Sequence, residues 1–202
     1  MKLYFSPGAC SLHPHITLRE AGLSFDLVRV DLGAHKLHDG TDFYTINAKG
    51  YVPVLEFDDG TRLTEGAVID QYVADQKPES NLIPPAGTME RYRALEWLNF
   101  IAAEIHKSFA PLFGNDEAAK VAPRIRLGKR FDFTAKALES RPFLLGDTFS
   151  VVDAYLYNML RWAHHTGVDL DKWPVLQAFF ARVDARPAVQ AALAAEKGHQ
   201  GA

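Results

Sequence analysis

The stretch VPVLEFDDGTRLTEGAVIDQYVADQK, residues 52–77, decides the architecture. VLEF and TRLT flank Asp59-Gly60, a dipeptide suited to a tight hairpin turn. Directly afterwards Val68, Ile69, Tyr72 and Val73 recur at helical spacing. Working outward, KLYF (2–5) and FDLVRVDL (25–32) read as strands, and SLHPHITLREAG (11–22) as a helix ended by Gly22. A short helix is expected near DFYTIN. The order βαβαββα predicts an α+β fold: a mixed four-stranded sheet covered by helices.

Prolines and polar residues in KPESNLIPPAG (77–87) interrupt this pattern. The domains expected are therefore residues 1–80, a linker over 81–87, and an all-α domain over 88–202. TMERYRALEWLNFIAAEIHKSFAPLF (88–113) predicts one long helix whose apolar stripe is Leu95, Leu98, Ile101 or Ala102, and Ile105. A second helix is expected from Glu117 to Glu139. A third starts at Ser150, where S-V-V-D is a capping box with Asp153 in place of the usual glutamate. Phe149 stands where a hydrophobic staple would begin, with Ala154 a weak partner. Two more helices follow Pro174 and Pro187, prolines at tolerated first-turn positions.

Composition narrows the function classes. A chain of 202 residues, 48% hydrophobic and 23% charged, is that of a globular protein. A formal net charge of −3 offers no global attraction to nucleic acid or anionic membranes. The basic run Lys120, Arg124, Arg126, Lys129 and Arg130 spreads around its helix as a solvated surface. MKLYFSPG opens as a strand rather than a secretory segment, and nowhere do 18 apolar residues run together. With one cysteine, an internal disulfide is impossible and a reducing, cytoplasmic setting is expected. No metal is expected: neither His13 with His15 nor His164-His165 has ligand partners at metal-binding spacing.

That cysteine, Cys10, lies in SPGACSLHPH (6–15) at the mouth of the first helix. First-turn amides there would favour the nucleophilic thiolate. A buried small hydrophobe is the plainer reading. Residue 13 is histidine, so no dithiol forms in this loop, and any exchange partner must be a small-molecule thiol. Val52-Pro53 suits a cis peptide, with the Val52 N–H and C=O aimed outward to pair with an extended, peptide-like ligand. Glu65-Gly66 opens a helix, offering amides to a carboxylate and the Glu65 side chain to an ammonium group. An ordinary turn and an ordinary helix-start charge would account for these two features separately. Taken with Cys10, they describe a ligand with an amino-acid head, a peptide body and a thiol end.

SPGACSLxPH, NxxGxVPVL and LTEGxxIxQYxAD resemble the glutathione S-transferases, and CSLxPH joined to NFxxxEIHK resembles the bacterial beta class. The resemblance covers essentially the whole chain, including FSVVDAYL. It implies a thioredoxin-like N-terminal domain, an all-helical C-terminal domain, a homodimer, and glutathione as co-substrate. It further implies that Cys10 faces the glutathione sulfur, as a thiolate neighbour or in a mixed disulfide. Val52, with Pro53, would pair with the cysteinyl backbone, while Glu65 and Gly66 hold the γ-glutamyl end. Many relatives carry serine after that glutamate; Gly66 keeps the amide and loses a hydroxyl. The beta-class lysine that binds a glutathione carboxylate is replaced by His35, with Lys36 beside it.

On the long helix, Asn99 and His106 are seven residues apart, sharing one face at about 10.5 Å. The resemblance makes Asn99, Ala103, Glu104, Ile105 and His106 a wall facing the sulfur. It sends Glu104 toward the neighbouring subunit's glutathione, makes His106 an acid, base or orienting dipole, and makes Lys107 a nearby positive charge. Without the resemblance, His106 reads as a satisfied histidine under an interface. Ser11 is a candidate donor to the sulfur and also the expected N-cap of the first helix. Tyr4 and Phe5 raise the alternative of a phenol that activates the thiol; strand alternation sends the two side chains to opposite faces, so only one could face the cleft. Phe109, Leu112, Phe113, Tyr157 and Trp162 are candidates for an apolar electrophile pocket, or for core. The expected function is conjugation of the glutathione thiol to hydrophobic electrophiles, with thiol–disulfide exchange through Cys10. The alternative is a noncatalytic ligand-binding or partner-docking module.

Overall fold

The computed structural model describes residues 1–199 and divides the chain into two compact units. The first comprises Met1–Leu82 together with the segment from Arg186 onward. Its strands are β1 (Lys2–Phe5), β2 (Asp26–Asp31), β3 (Lys36–Leu37), β4 (Val54–Glu56) and β5 (Arg62–Thr64). They form one mixed sheet in the order β3-β2-β1-β4-β5. β1 runs parallel to β2, with Leu3 opposite Leu27, and antiparallel to β4, with Tyr4 opposite Val54. The sheet has five strands rather than four. The extra one, β3, is a two-residue edge antiparallel to β2, too short to show any alternation in sequence.

Helices α1 (Leu12–Glu20) and α2 (Gly66–Asp75) pack against each other. Leu12, Ile16 and Leu18 of α1 and Ile69 and Val73 of α2 are fully buried, each contributing about 1.5–3 kcal/mol of apolar burial. Another cluster, Tyr4, Val30, Phe43, Val52 and Val54, is joined by Ala9 from the loop that carries Cys10.

Helix α8 (Pro187–Gly198) belongs to this first unit, where it packs against α1. The unit boundaries differ here from the expected all-helical segment 88–202. Charge and packing explain it. Arg186 pairs with both carboxylate oxygens of Glu20, at 2.6 and 2.9 Å. Glu196, nearly buried, accepts the Gly8 N–H at 2.9 Å and lies 3.0 Å from His15 Nδ1. Val189 and Ala192 complete the buried face. Burial pushes the His15 imidazole below its ordinary range, with Glu196 pulling the other way.

The second unit spans Ile83–Ala185. Helix α3 (Met89–Phe100) starts with the Thr88 hydroxyl accepting the Arg91 amide at 3.2 Å. The long helix expected over 88–113 is instead composite. A π-helical stretch, Ile101–His106, follows α3, then the single turn α4 (Lys107–Phe109), then a 3₁₀ turn, Ala110–Phe113. Helix α5 (Glu117–Leu138) is capped by Asp116, which accepts from Ala118 and Ala119. Helix α6 (Val151–His165) is buried along most of its length, and α7 (Pro174–Asp184) opens with its proline. At the start of α6 the capping box forms. The Asp153 carboxylate also accepts the Leu144 N–H at 2.9 Å. Phe149 meets Phe143 edge-on, with ring centroids 5.9 Å apart. Among the described residues, no helix is long and apolar enough to cross a membrane.

Candidate functional site

In the first unit, sequence-distant residues meet around Cys10. Its thiol is half-buried and donates to the Val52 carbonyl oxygen at 3.2 Å. That contact is one a thiol makes and a thiolate cannot. The expected cradle of helical amides is smaller than foreseen. The Leu12 N–H goes to the Ala9 carbonyl at 3.2 Å, and Pro14 has no N–H to offer. Val52-Pro53 is cis. Val52 is only 2% exposed, yet its N–H finds no acceptor among the described residues. A main-chain donor left this way is costly unless a ligand or water takes it. The Val52 carbonyl does not simply face outward: it already receives Cys10.

Pro53 leads on to the start of α2. Glu65 holds a left-handed backbone, φ 68°, and its carbonyl accepts the amides of Val68 and Ile69. Its exposed carboxylate is held by Lys49 Nζ at 2.6 Å. Gly66 begins the helix, and its own φ is not left-handed. The residue that the sequence reading missed is Lys49. It already occupies the anionic position assigned to a ligand ammonium.

Ser11 takes a different part from the one expected. It is fully buried, and its hydroxyl accepts the Ser6 N–H at 3.2 Å and donates to the Ser6 carbonyl at 3.3 Å. It makes no side-chain cap on α1. The hydroxyl closes the Cys10 loop instead of the helix. Tyr4 donates to Glu56 at 3.1 Å; burial, and then Glu56, push its phenol above the usual range. That is the wrong direction for activating a thiol. Phe5 is fully buried.

His35 lies at φ 52°, its ring on that of Tyr44 at 4.7 Å, with Nδ1 buried and meeting no hydrogen-bond partner among the described residues. Lys36 is exposed on β3. Of the two, His35 is the one left with an unmet polar atom.

In the second unit, His106 Nδ1 lies 2.6 Å from the Tyr155 hydroxyl, and its ring meets those of Tyr155 and Trp162 edge-on. Trp162 also contacts Phe109 and the half-exposed Phe113. The π-helical stretch lies between Asn99 and His106. Its i→i+5 bonding advances the chain more slowly around the axis, so the shared face of a straight α-helix does not carry over. Asn99, Ala103 and Lys107 are exposed. Glu104 is engaged by Arg130, at 2.8 Å from Nε and 2.5 Å from Nη2. Ile105, Phe109 and Tyr157 are fully buried, and Leu112 is nearly so, so these belong to packing rather than to a pocket lining. Tyr157 donates to Asp184 and stacks on Phe180. Tyr155, which no local pattern singles out, is the partner that orients His106.

Among the described residues, no group of three or more histidine, cysteine or carboxylate side chains is placed to hold a metal ion.

Comparison with known proteins identifies the fold and the family. The family model "Glutathione S-transferase, N-terminal domain" matches residues 8–76, and "Glutathione S-transferase, C-terminal domain" matches residues 97–187. The chain is 46% identical to glutathione S-transferase GstA of Escherichia coli O157:H7, over 97% of this chain and 98% of that one. It superposes on the bacterial transferase BphK, solved as a ternary complex, with a TM-score of 0.96 and 54% identity, covering 98% and 100% of the two chains. A sphingomonad glutathione S-transferase complexed with glutathione gives 0.93 and 46%, over 98% and 99%. The beta-class enzyme of Sphingomonas chungbukensis also gives 0.93, at 47% identity over 97% and 98%. With both domain models matched and near-complete coverage by these relatives, the chain belongs to the glutathione S-transferase family, in its bacterial beta class, with glutathione as co-substrate.

Proposed function

We propose that this transferase conjugates the glutathione thiol to hydrophobic electrophiles and also catalyses glutathione-dependent thiol–disulfide exchange at Cys10. The observation that carries the reading is Val52: a nearly buried residue whose N–H has no acceptor among the described residues, beside a half-buried thiol. The cysteinyl carbonyl of glutathione would accept from that N–H. Its cysteinyl N–H would share the Val52 carbonyl, whose second lone pair leaves room for both donors. Glu65 and the Gly66 amide take the γ-glutamyl end, and His35 the far carboxylate. Conjugation then needs a held, oriented thiolate and an electrophile brought beside it.

Exchange uses the Cys10 sulfur itself. As a thiolate it attacks the glutathione sulfur of a glutathionylated substrate, forming a mixed disulfide and releasing the substrate thiolate. A second glutathione thiolate attacks the mixed disulfide, releasing oxidised glutathione and restoring Cys10. The roles assigned by resemblance to Asn99, Ala103, Glu104, His106 and Lys107 belong to the same reading, as does a cytoplasmic setting. A homodimer is supported by the half- to two-thirds-exposed Met89, Tyr92 and Phe133 of the second unit, with Trp97 against Phe133. Light scattering at several protein concentrations tests it.

Calorimetric titration of glutathione into the reduced protein tests the site. Saturation near one ligand per chain supports the reading; a well-folded protein that does not bind overturns it in favour of a noncatalytic module.

A further inference from the structure

Gly66 raises a question that its backbone does not answer. Its φ is not left-handed, so nothing in the main chain demands glycine there. Space does. A Cβ on residue 66 would fall 2.5 Å from His13 Nε2 and closer still to His13 Cε1, while Pro53 Cγ stands 3.5 Å away. The first of these is far inside van der Waals contact.

His13 cannot easily give way. It is the second residue of α1, 1% exposed, and its Nδ1 lies 2.6 Å from Asp70 Oδ2. Asp70, on α2, is fully buried, and its other oxygen accepts the Thr17 hydroxyl at 2.8 Å. The same Thr17 oxygen lies 3.1 Å from the carbonyl of His13, one turn earlier in α1. The imidazole is thus fixed through Asp70 to α2 and through Thr17 to its own helix. Its free-swinging rotamers are removed, and its Cε1–Nε2 edge is presented to Gly66.

We propose that His13 is a positioning residue for glutathione: clamped by Asp70, it fills the space of a side chain at position 66 and fixes the Gly66 amide and the neighbouring Glu65. The inference rests on the glutathione-site reading given above. It names what that reading lacked, a reason for Gly66 and a part for the buried histidine. His13 acts through Gly66 and not by touching ligand, because its ring has almost no exposed surface. Misplacement of a binding group by around an ångström can cost about a hundredfold, so loosening this buttress should be visible in ligand affinity.

The experiment is a double-mutant cycle on His13→Ala and Gly66→Ala, read by glutathione calorimetry and by steady-state conjugation. His13→Ala is expected to raise the glutathione Kd and KM by about tenfold or more, with kcat within about twofold, since KM rising alone marks lost uniform binding. Gly66→Ala alone is expected to lose binding through its collision with the ring. The pair is expected to bind better than Gly66→Ala alone, because the alanine methyl then enters the vacated space. His13→Gln, which can keep a hydrogen bond to Asp70, should recover part of the loss and guards against a folding defect. Unchanged affinity in His13→Ala, or two losses that simply add, would overturn the inference while wild-type binding stands. Failure of the wild-type protein to bind glutathione would overturn both this and the reading beneath it.

Discussion

The imidazole of His106 and the hydroxyl of Tyr155 are paired, with Nδ1 2.6 Å from the phenolic oxygen. The pairing fixes the ring's orientation through a residue on a different helix. Tyr155→Phe keeps the ring and removes the hydroxyl that pairs with His106. A net bond of about 1 kcal/mol corresponds to roughly a fivefold change. Conjugation kcat is expected to fall by that order, with glutathione KM little altered. Equal kcat in the two proteins would show that His106 needs no such partner.

Cys10 separates the two proposed activities. Its sulfur donates to the Val52 carbonyl, a contact that Cys10→Ala removes without disturbing the strand pairing of β4. Reduction of a glutathionylated model disulfide is expected to be abolished, and some conjugation of an aryl halide to persist. Loss of both to the same extent, in a folded variant, would refute the division of labour.

Glu65 and Lys49 form an exposed ion pair. Such pairs are worth about 0–1 kcal/mol, so a ligand ammonium can replace the lysine at small cost. Glu65→Gln is expected to raise glutathione KM by more than about tenfold, since a charge-assisted bond is lost. Lys49→Ala should move it by less than about fivefold. Side-by-side KM values for the two variants, at fixed ionic strength, check the ranking.

Asp153 gives a pH signature in stability. Burial pushes its carboxyl from 3.8 up to about 6, against the opposing hydrogen bonds from Leu144 and Ser150. The folded state therefore binds this proton more tightly than the unfolded chain does. Its contribution is full below about pH 4 and is lost as pH rises through 6, by about 3 kcal/mol in all. Asp153→Asn removes the titration and one acceptor. The wild-type advantage over that variant, from urea unfolding, is expected to shrink between pH 4 and 6.5. A flat difference across that range would contradict the assignment.

How far these features could be read from the residues depends on the range of the forces that make them. The helix expected from 117 to 139 ends within a residue of α5, because Asp116 and the spacing of Leu127, Phe131 and Leu138 act locally. The capping box at Ser150 was legible for the same reason. The π-helical stretch was not: Leu98, Ile101 and Ile105 are all buried and fit α-helical spacing equally well. Tyr155 lies in a run so uniformly buried that no face stands out. The His13–Asp70 pair joins residues 57 positions apart, and Glu196 reaches Gly8 across 188. Such long-range polar partners leave no periodic trace. The motifs single out Cys10, Val52 and Glu65 as candidates, whereas the carbonyl facing the thiol and the lysine holding the glutamate emerge only from the fold.

The position of α8 has a consequence for how the molecule is made. Synthesis delivers β1, α1 and the sheet first, then the whole of residues 83–185, and only then the carboxylate that holds Gly8 and His15. At about 5–20 residues per second, that interval lasts roughly 5–20 s. During it the nascent N-terminal segment has its strands but not the anchor of the loop bearing Cys10. The later-emerging helical unit, contiguous in sequence, has all its parts first. The thiol loop therefore gains this carboxylate only after the whole of residues 83–185 has been made.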